Sequence, residues 1–125
     1  MSDKLVIVVD DSKIDALRAM KLSESLGVKP FHIINPLDAA EIIAEKQPNL
    51  VIMDVEMPEQ DGYRTTSQLL SNEATQNIPV AILTSKQGDF ERMYSEMVGA
   101  VHYLPKPLSL GLLKLLYIKV GIIEE

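Results

Sequence analysis

Residues 4–13 read KLVIVVDDSK. Five apolar residues, Leu5–Val9, run straight into two adjacent aspartates, Asp10 and Asp11. A short apolar run with no polar alternation inside it suits a strand covered on both faces, as in a parallel sheet. Two like charges where that strand reaches the surface carry an electrostatic cost. The rest of the chain has to explain why they stand there.

The same pattern recurs at regular intervals. Short apolar runs follow at Phe31–Ile34, Leu50–Met53, Val80–Leu83 and Val101–Leu104. Stretches of helical length separate or follow them, over about 12–26, 38–46, 59–72, 88–99 and 109–122. Five strands alternating with five helices predict a (βα)5 α/β domain, doubly wound with right-handed crossovers. The 125 residues suit one domain with one sizeable core. Helix signals vary in strength. Asp89 is placed to cap a helix whose apolar stripe is Phe90, Met93, Met97 and Ala100, and Gly99 suits a left-handed stop. In the first helix Ile14, Ala19, Leu22 and Leu26 fall on one side, Leu17 and Met20 on the other. Pro58 and Gly62 bracket a turn into the third helix. His32 and His102 read as strand residues, and the methionines as core or loop residues.

Composition narrows the function classes. The net charge of −6 and a pI near 4.9 repel a phosphate backbone, which argues against direct nucleic-acid binding. The absence of cysteine removes disulfides, thiolate catalysis and cysteine–zinc sites together. No apolar run approaches the length that spans a bilayer, and Leu5–Val9 is too short for a signal-peptide core. A cytoplasmic location without membrane insertion is the expectation.

In an open parallel sheet, ligands bind outside the carboxyl ends of the strands. The residues just after each run are Asp10 and Asp11, then Asp54, then Thr84 and Ser85, then Lys106 in LPKP. Three carboxylates crowded together push at least one towards its neutral form, and a hard divalent cation such as Mg2+ removes the conflict. An aspartate beside Mg2+ can attack a phosphoryl group, while the Lys106 ammonium, the Thr84 hydroxyl and nearby N–H groups stabilise its equatorial oxygens. Ser85 is small enough to leave room for that group.

Four segments, VVDDSK, LVIMDVEMPEQDG, VAILTSK and HYLPKP, resemble the signature segments of bacterial response-regulator receiver domains. The resemblance covers essentially the whole chain in order and spacing. It implies a five-stranded sheet in order 2-1-3-4-5 with helices on both faces. It implies Asp54 as phosphoacceptor, served by a histidine kinase or phosphotransfer protein. It implies Mg2+ held by the Asp11 and Asp54 side chains and the Glu56 carbonyl, with Asp10 assisting. Thr84 and Lys106 would contact the phosphoryl group, Tyr103 would be the switch aromatic, and Lys106–Pro107 would be a cis bond. Pro36 stands near a place where the family usually carries glycine. The long connection SNEATQNIPV is similar to stand-alone receivers of twitching-motility and chemotaxis systems. Glu56 and Lys86 flank the path of the attacking water in the family, and their opposite charges suit a pair across the entrance.

The last helix, LGLLKLLYIKVGII, carries a core stripe of Leu113, Leu116, Tyr117 and Val120. Leu115, Ile118 and Ile122 form a second stripe. In the family this helix, with the fourth helix and fifth strand, forms the partner surface. The second stripe is therefore expected to dock a downstream protein or a second copy as a homodimer. The chain is expected to be a single receiver domain over 1–125, with no output domain. It signals by contact, and its only enzyme-like activity is Mg2+-dependent phosphorylation and dephosphorylation of Asp54. The alternatives are a phosphorylation-independent binding module and a Mg2+-dependent phosphatase. The phosphatase needs an aspartate two residues after the nucleophile, where this chain has Glu56.

Overall fold

The computed structural model describes residues 3–57, 60–86 and 88–124. In chain order the elements are β1 (Leu5–Val9), α1 (Lys13–Ser25), β2 (Lys29–Ile33), α2 (Ala39–Lys46), β3 (Leu50–Asp54), α3 (Gly62–Leu70), β4 (Val80–Thr84), α4 (Asp89–Met97), β5 (His102–Pro105) and α5 (Leu110–Lys119). A short 3-10 turn, Pro36–Asp38, precedes α2 with Asn35 as its cap, and Pro36 sits there buried. All strands are parallel, in the order β2-β1-β3-β4-β5.

The unbroken apolar runs are explained by burial on both sides. Successive strand residues point to opposite faces of a sheet. Val6, Val8, Leu50, Ile52, Ala81 and Leu83 pack with α1 and α5 residues. Ile7, Val9, Val51, Met53, Val80 and Ile82 pack with α2 and α3 residues on the other face. The strand expected at Phe31–Ile34 begins earlier, at Lys29, and Ile34 is exposed. Pro30 lies within it, which an edge strand tolerates because its outer side needs no N–H.

Helix boundaries follow the caps. Ser12, Asp61 and Ser109 accept N–H bonds at the starts of α1, α3 and α5. Pro58, proposed as one bracket of the third-helix turn, lies outside the described residues. Asp89 does not cap α4: it is the first helical residue, and Gly88 at the cap position makes no side-chain bond. Gly99 takes φ +93°, the left-handed conformation expected of a helix stop.

Three expectations about helix faces change. In α4, Phe90, Met93 and Met97 point to solvent, while Ala100 lies beyond the end of the helix and packs half-buried against the core. The buried residue of this helix is Ser95, whose hydroxyl donates to the Glu91 carbonyl at 2.9 Å. Helical spacing says which residues share a face, not which face turns inward. In α1 the inward residues are Ala16, Ala19 and Ser23, while Ile14 is 82 % exposed. Small side chains bring α1 close to the sheet, and Ser23 Oγ meets the Tyr117 hydroxyl at 2.5 Å.

The third change concerns the end of α5. Leu113, Leu116 and Tyr117 are buried as expected, and Leu115 is 55 % exposed. Ile122 is not on the outer stripe: it is 6 % exposed and belongs to the core with Tyr117. Gly121 takes φ +79°, its N–H bonds the Ile118 carbonyl at 3.1 Å, and the Ile122 N–H bonds the Tyr117 carbonyl at 2.8 Å. This glycine-terminated cap folds the chain back over its own helix. Ile122→Ala is therefore expected to lower stability by about 2–4 kcal/mol, and Leu115→Ala by less than about 0.5 kcal/mol. Urea denaturation midpoints of the two variants check this.

Candidate functional site

The carboxyl ends of β1, β3, β4 and β5 bring the sequence-selected residues to one edge. Asp54 and Thr84 are the last residues of their strands, and Asp10 directly follows β1. Asp10, Asp11 and Asp54 each offer a carboxylate oxygen within 4.8 Å of the others. Asp10 and Asp54 are buried, and Asp11 is half-buried. The Lys106 ammonium enters this cluster, 2.9 Å from Asp54 Oδ1 and 3.5 Å from Asp10 Oδ2. Lys106 reaches it from a backbone held by its own N–H bond to the Thr84 carbonyl at 2.8 Å. The Lys106–Pro107 bond is cis, as the resemblance implies.

Burial pushes Asp10 up to about 7; the Ser12 N–H on its Oδ1 and the Lys106 charge counteract this, while the nearby Asp54 adds to it. Burial works against the charge on Lys106, yet the bonds to Asp54 and Asp15 hold it above the ordinary lysine range. The site is thus a buried group of repelling anions with one resident cation.

The close approach of α3 fixes the Asp54 backbone. Gly62 opens α3 with its N–H on the Val55 carbonyl at 3.2 Å. A Cβ at Gly62 would lie 2.1 Å from the Asp54 carbonyl oxygen. Only glycine fits there.

Two placements differ from the sequence reading or go beyond it. The Glu56 carboxylate does not pair with Lys86. Its Oε1 accepts from the Ser85 hydroxyl at 2.7 Å, the Thr84 hydroxyl at 3.1 Å and the Ser85 N–H at 3.3 Å. The Ser85 hydroxyl bond is the largest cause holding Glu56 below the usual carboxylate range. A carboxylate two residues beyond Asp54 reaches across the adjacent β4 end more readily than two flexible exposed side chains find each other. Asp15, passed over in the sequence, also binds Lys106, at 2.9 Å. Its place three residues after Ser12 reads as an ordinary helix-capping pattern, so nothing in the sequence marks it as part of the site.

Tyr103 lies in β5, and its hydroxyl donates to the Lys86 carbonyl. On the neighbouring α3, Tyr63 donates to Glu91 Oε2 at 2.9 Å, and burial pushes its hydroxyl up to about 12. The two tyrosines tie α4 and the loop before it to the site edge. His32 and His102 both lie in strands, and His32 Nε2 meets the Asp10 carbonyl at 2.6 Å.

The donor set fits Mg2+. Among the described residues, the buried Asp10 Oδ2 has no hydrogen-bond donor, the Lys106 ammonium standing 3.5 Å away while it sits 2.9 Å from Asp54 Oδ1. Buried carboxylate oxygens without donors are what a hard oxygen-seeking cation satisfies. No helix among the described residues is long and apolar enough to cross a membrane.

Comparison with known proteins agrees with this geometry. The response regulator receiver domain family matches residues 6–117. Protein PilG of Pseudomonas aeruginosa is 38 % identical over 104 residues, covering 83 % of this chain and 77 % of its own length. Protein PilH of the same organism is 30 % identical, covering 83 % of this chain and 86 % of its own. The crystal structure of the signal receiver domain of a DNA-binding response regulator from Colwellia psychrerythraea superposes with a TM-score of 0.87 at 26 % identity. It covers 95 % of this chain and 98 % of that one.

Two measurements test the site. Mg2+ at a hundred times its dissociation constant should raise the unfolding free energy by about 2.7 kcal/mol in thermal unfolding, and EDTA should abolish the gain. Gly62→Ala should cost about 1–3 kcal/mol by overpacking against Asp54 and should weaken Mg2+ binding measured by titration.

Proposed function

The chain belongs to the response-regulator receiver family of two-component signalling, and from that premise we propose that it is a phosphorylation switch acting at Asp54. The observation that carries this reading is a buried Asp54 carboxylate set between two further aspartates and the Lys106 ammonium.

In this reading one carboxylate oxygen of Asp54 attacks the phosphorus of a phosphohistidine on a kinase or phosphotransfer protein. The new O–P bond forms as the P–N bond breaks, and the leaving imidazole nitrogen takes a proton. Asp11, Asp54 and the Glu56 carbonyl would hold Mg2+, with Asp10 assisting, and a bound Mg2+ would supply neutralisation of the crowded anions and of the equatorial phosphoryl oxygens. Lys106 bonds one of those oxygens. Thr84 and the Ser85 N–H take another, and for that they leave Glu56 Oε1, which they bond at rest. The Thr84 hydroxyl then turns towards the phosphoryl group, and Tyr103 shifts inward behind it as the output signal.

The output face is formed by α4, β5 and α5. Leu115 and the half-buried Ile118 are its part of α5, and the outward Phe90, Met93 and Met97 add the crest of α4. An exposed apolar surface of this kind favours docking of a downstream protein or of a second copy. The setting is cytoplasmic.

Acetyl phosphate with Mg2+ should add one phosphoryl group to the wild-type protein and none to Asp54→Asn, read by intact mass. Failure of the wild type to take up the group would favour a binding module that works without phosphorylation. Leu115→Glu should leave that uptake unchanged and weaken association of the phosphorylated protein about tenfold or more, as a charge buried in an apolar contact must. Analytical ultracentrifugation of the phosphorylated protein and pull-down with a candidate target read the association.

A further inference from the structure

The Lys106 ammonium is shared. It lies 2.9 Å from Asp54 Oδ1 and equally 2.9 Å from Asp15 Oδ2. Asp54 is buried, whereas the Asp15 side chain is 43 % exposed at the start of α1. Asp15 is therefore the solvent-exposed partner of the lysine and Asp54 the buried one.

The local backbone explains why Asp15 is available. Ser12 is the cap of α1, and its hydroxyl accepts the Asp15 N–H at 3.3 Å. A carboxylate three residues past such a cap ordinarily turns back to accept the cap residue's own N–H. Here Asp10 Oδ1 already takes the Ser12 N–H, at 2.9 Å. The Asp15 carboxylate is left to reach sideways to Lys106. One turn later Arg18 Nε donates to the Leu108 carbonyl at 2.7 Å. The first turns of α1 are thus pinned at two points to the segment that carries Lys106, which holds Asp15 in reach of the ammonium.

We propose that Asp15 is a positioning residue that divides the charge of Lys106 and so weakens the lysine's hold on a phosphoryl group at Asp54. This rests on the reading of Asp54 as phosphoacceptor and Lys106 as its phosphoryl contact. A lysine has three donors on a flexible stem. A donor and part of its charge committed to Asp15 are withdrawn from the phosphoryl oxygens. Asp15 is then a built-in brake on the phosphorylated state.

The test is binding of beryllofluoride, a phosphoryl mimic, at saturating Mg2+, read from the bound 19F resonance. Asp15→Asn should tighten beryllofluoride binding about two- to fivefold, the range expected for a partly exposed ion pair. Asp15→Glu, which keeps the charge, should bind within about twofold of wild type. In a Lys106→Ala background, Asp15→Asn should change affinity by less than about 1.5-fold, because the coupling runs through the lysine. A purely structural role in α1 would give the same change in both backgrounds, and that result overturns the proposal, as does unchanged or weaker binding in Asp15→Asn alone. If the wild type gives no bound resonance, the reading of Asp54 fails and the proposal fails with it. A bound wild type with an unresponsive Asp15→Asn overturns the proposal alone.

Discussion

Mutual repulsion of the carboxylates at one sheet edge is the constraint on which the site depends. Asp10, Asp11 and Asp54 are brought within 4.8 Å of one another by strands that are adjacent and parallel. Neither Asp10 nor Asp54 can escape to solvent, since both sit at the ends of strands buried on two faces. The fold thus holds an arrangement that the same groups would not choose in water. Lys106 relieves part of the repulsion, and the three carboxylates grouped beside it are a donor set that suits a further, oxygen-seeking cation.

The rest of the molecule supports that edge. Both core layers clamp the three central strands, so the positions of their last residues are set mainly by apolar packing. Gly62 lets α3 press directly on the Asp54 carbonyl, and α1 is tied through Asp15 and Arg18 to the segment that delivers Lys106. On the β4 side, Glu56 occupies the Thr84 and Ser85 donors. Two carboxylates outside the acidic triad, Asp15 and Glu56, therefore hold the Lys106 ammonium and the Thr84 and Ser85 donors, the groups that the proposed function assigns to the phosphoryl group. The resting site is preorganised in its backbone and competed for in its side chains.

The strands and the triad were legible because a parallel sheet writes them plainly. An unbroken apolar run marks a strand buried on both faces, and the residue after it falls at the carboxyl edge whatever the helices do. Helix faces were less legible. The stripe Phe90, Met93 and Met97 has the right period but points outward, and the buried residue of that helix is Ser95. Ile122 has the spacing of the outer α5 stripe, but the Gly121 turn ends the helix before it and sends it into the core. Asp15 and the reach of Glu56 were hidden for another reason. Their partners lie 91 and 28–29 residues away, and a carboxylate in a helix start or loop has a local explanation that fits equally well.

In the proposed function the repelling aspartates form one cation-dependent acceptor site at Asp54. Borohydride reduction after acetyl phosphate treatment, followed by peptide mass mapping, tests it most directly, since an acyl phosphate on aspartate is reduced to homoserine. Homoserine is expected at position 54 in the presence of Mg2+ and none with EDTA. Reduction at another carboxylate, or at position 54 regardless of EDTA, would contradict it.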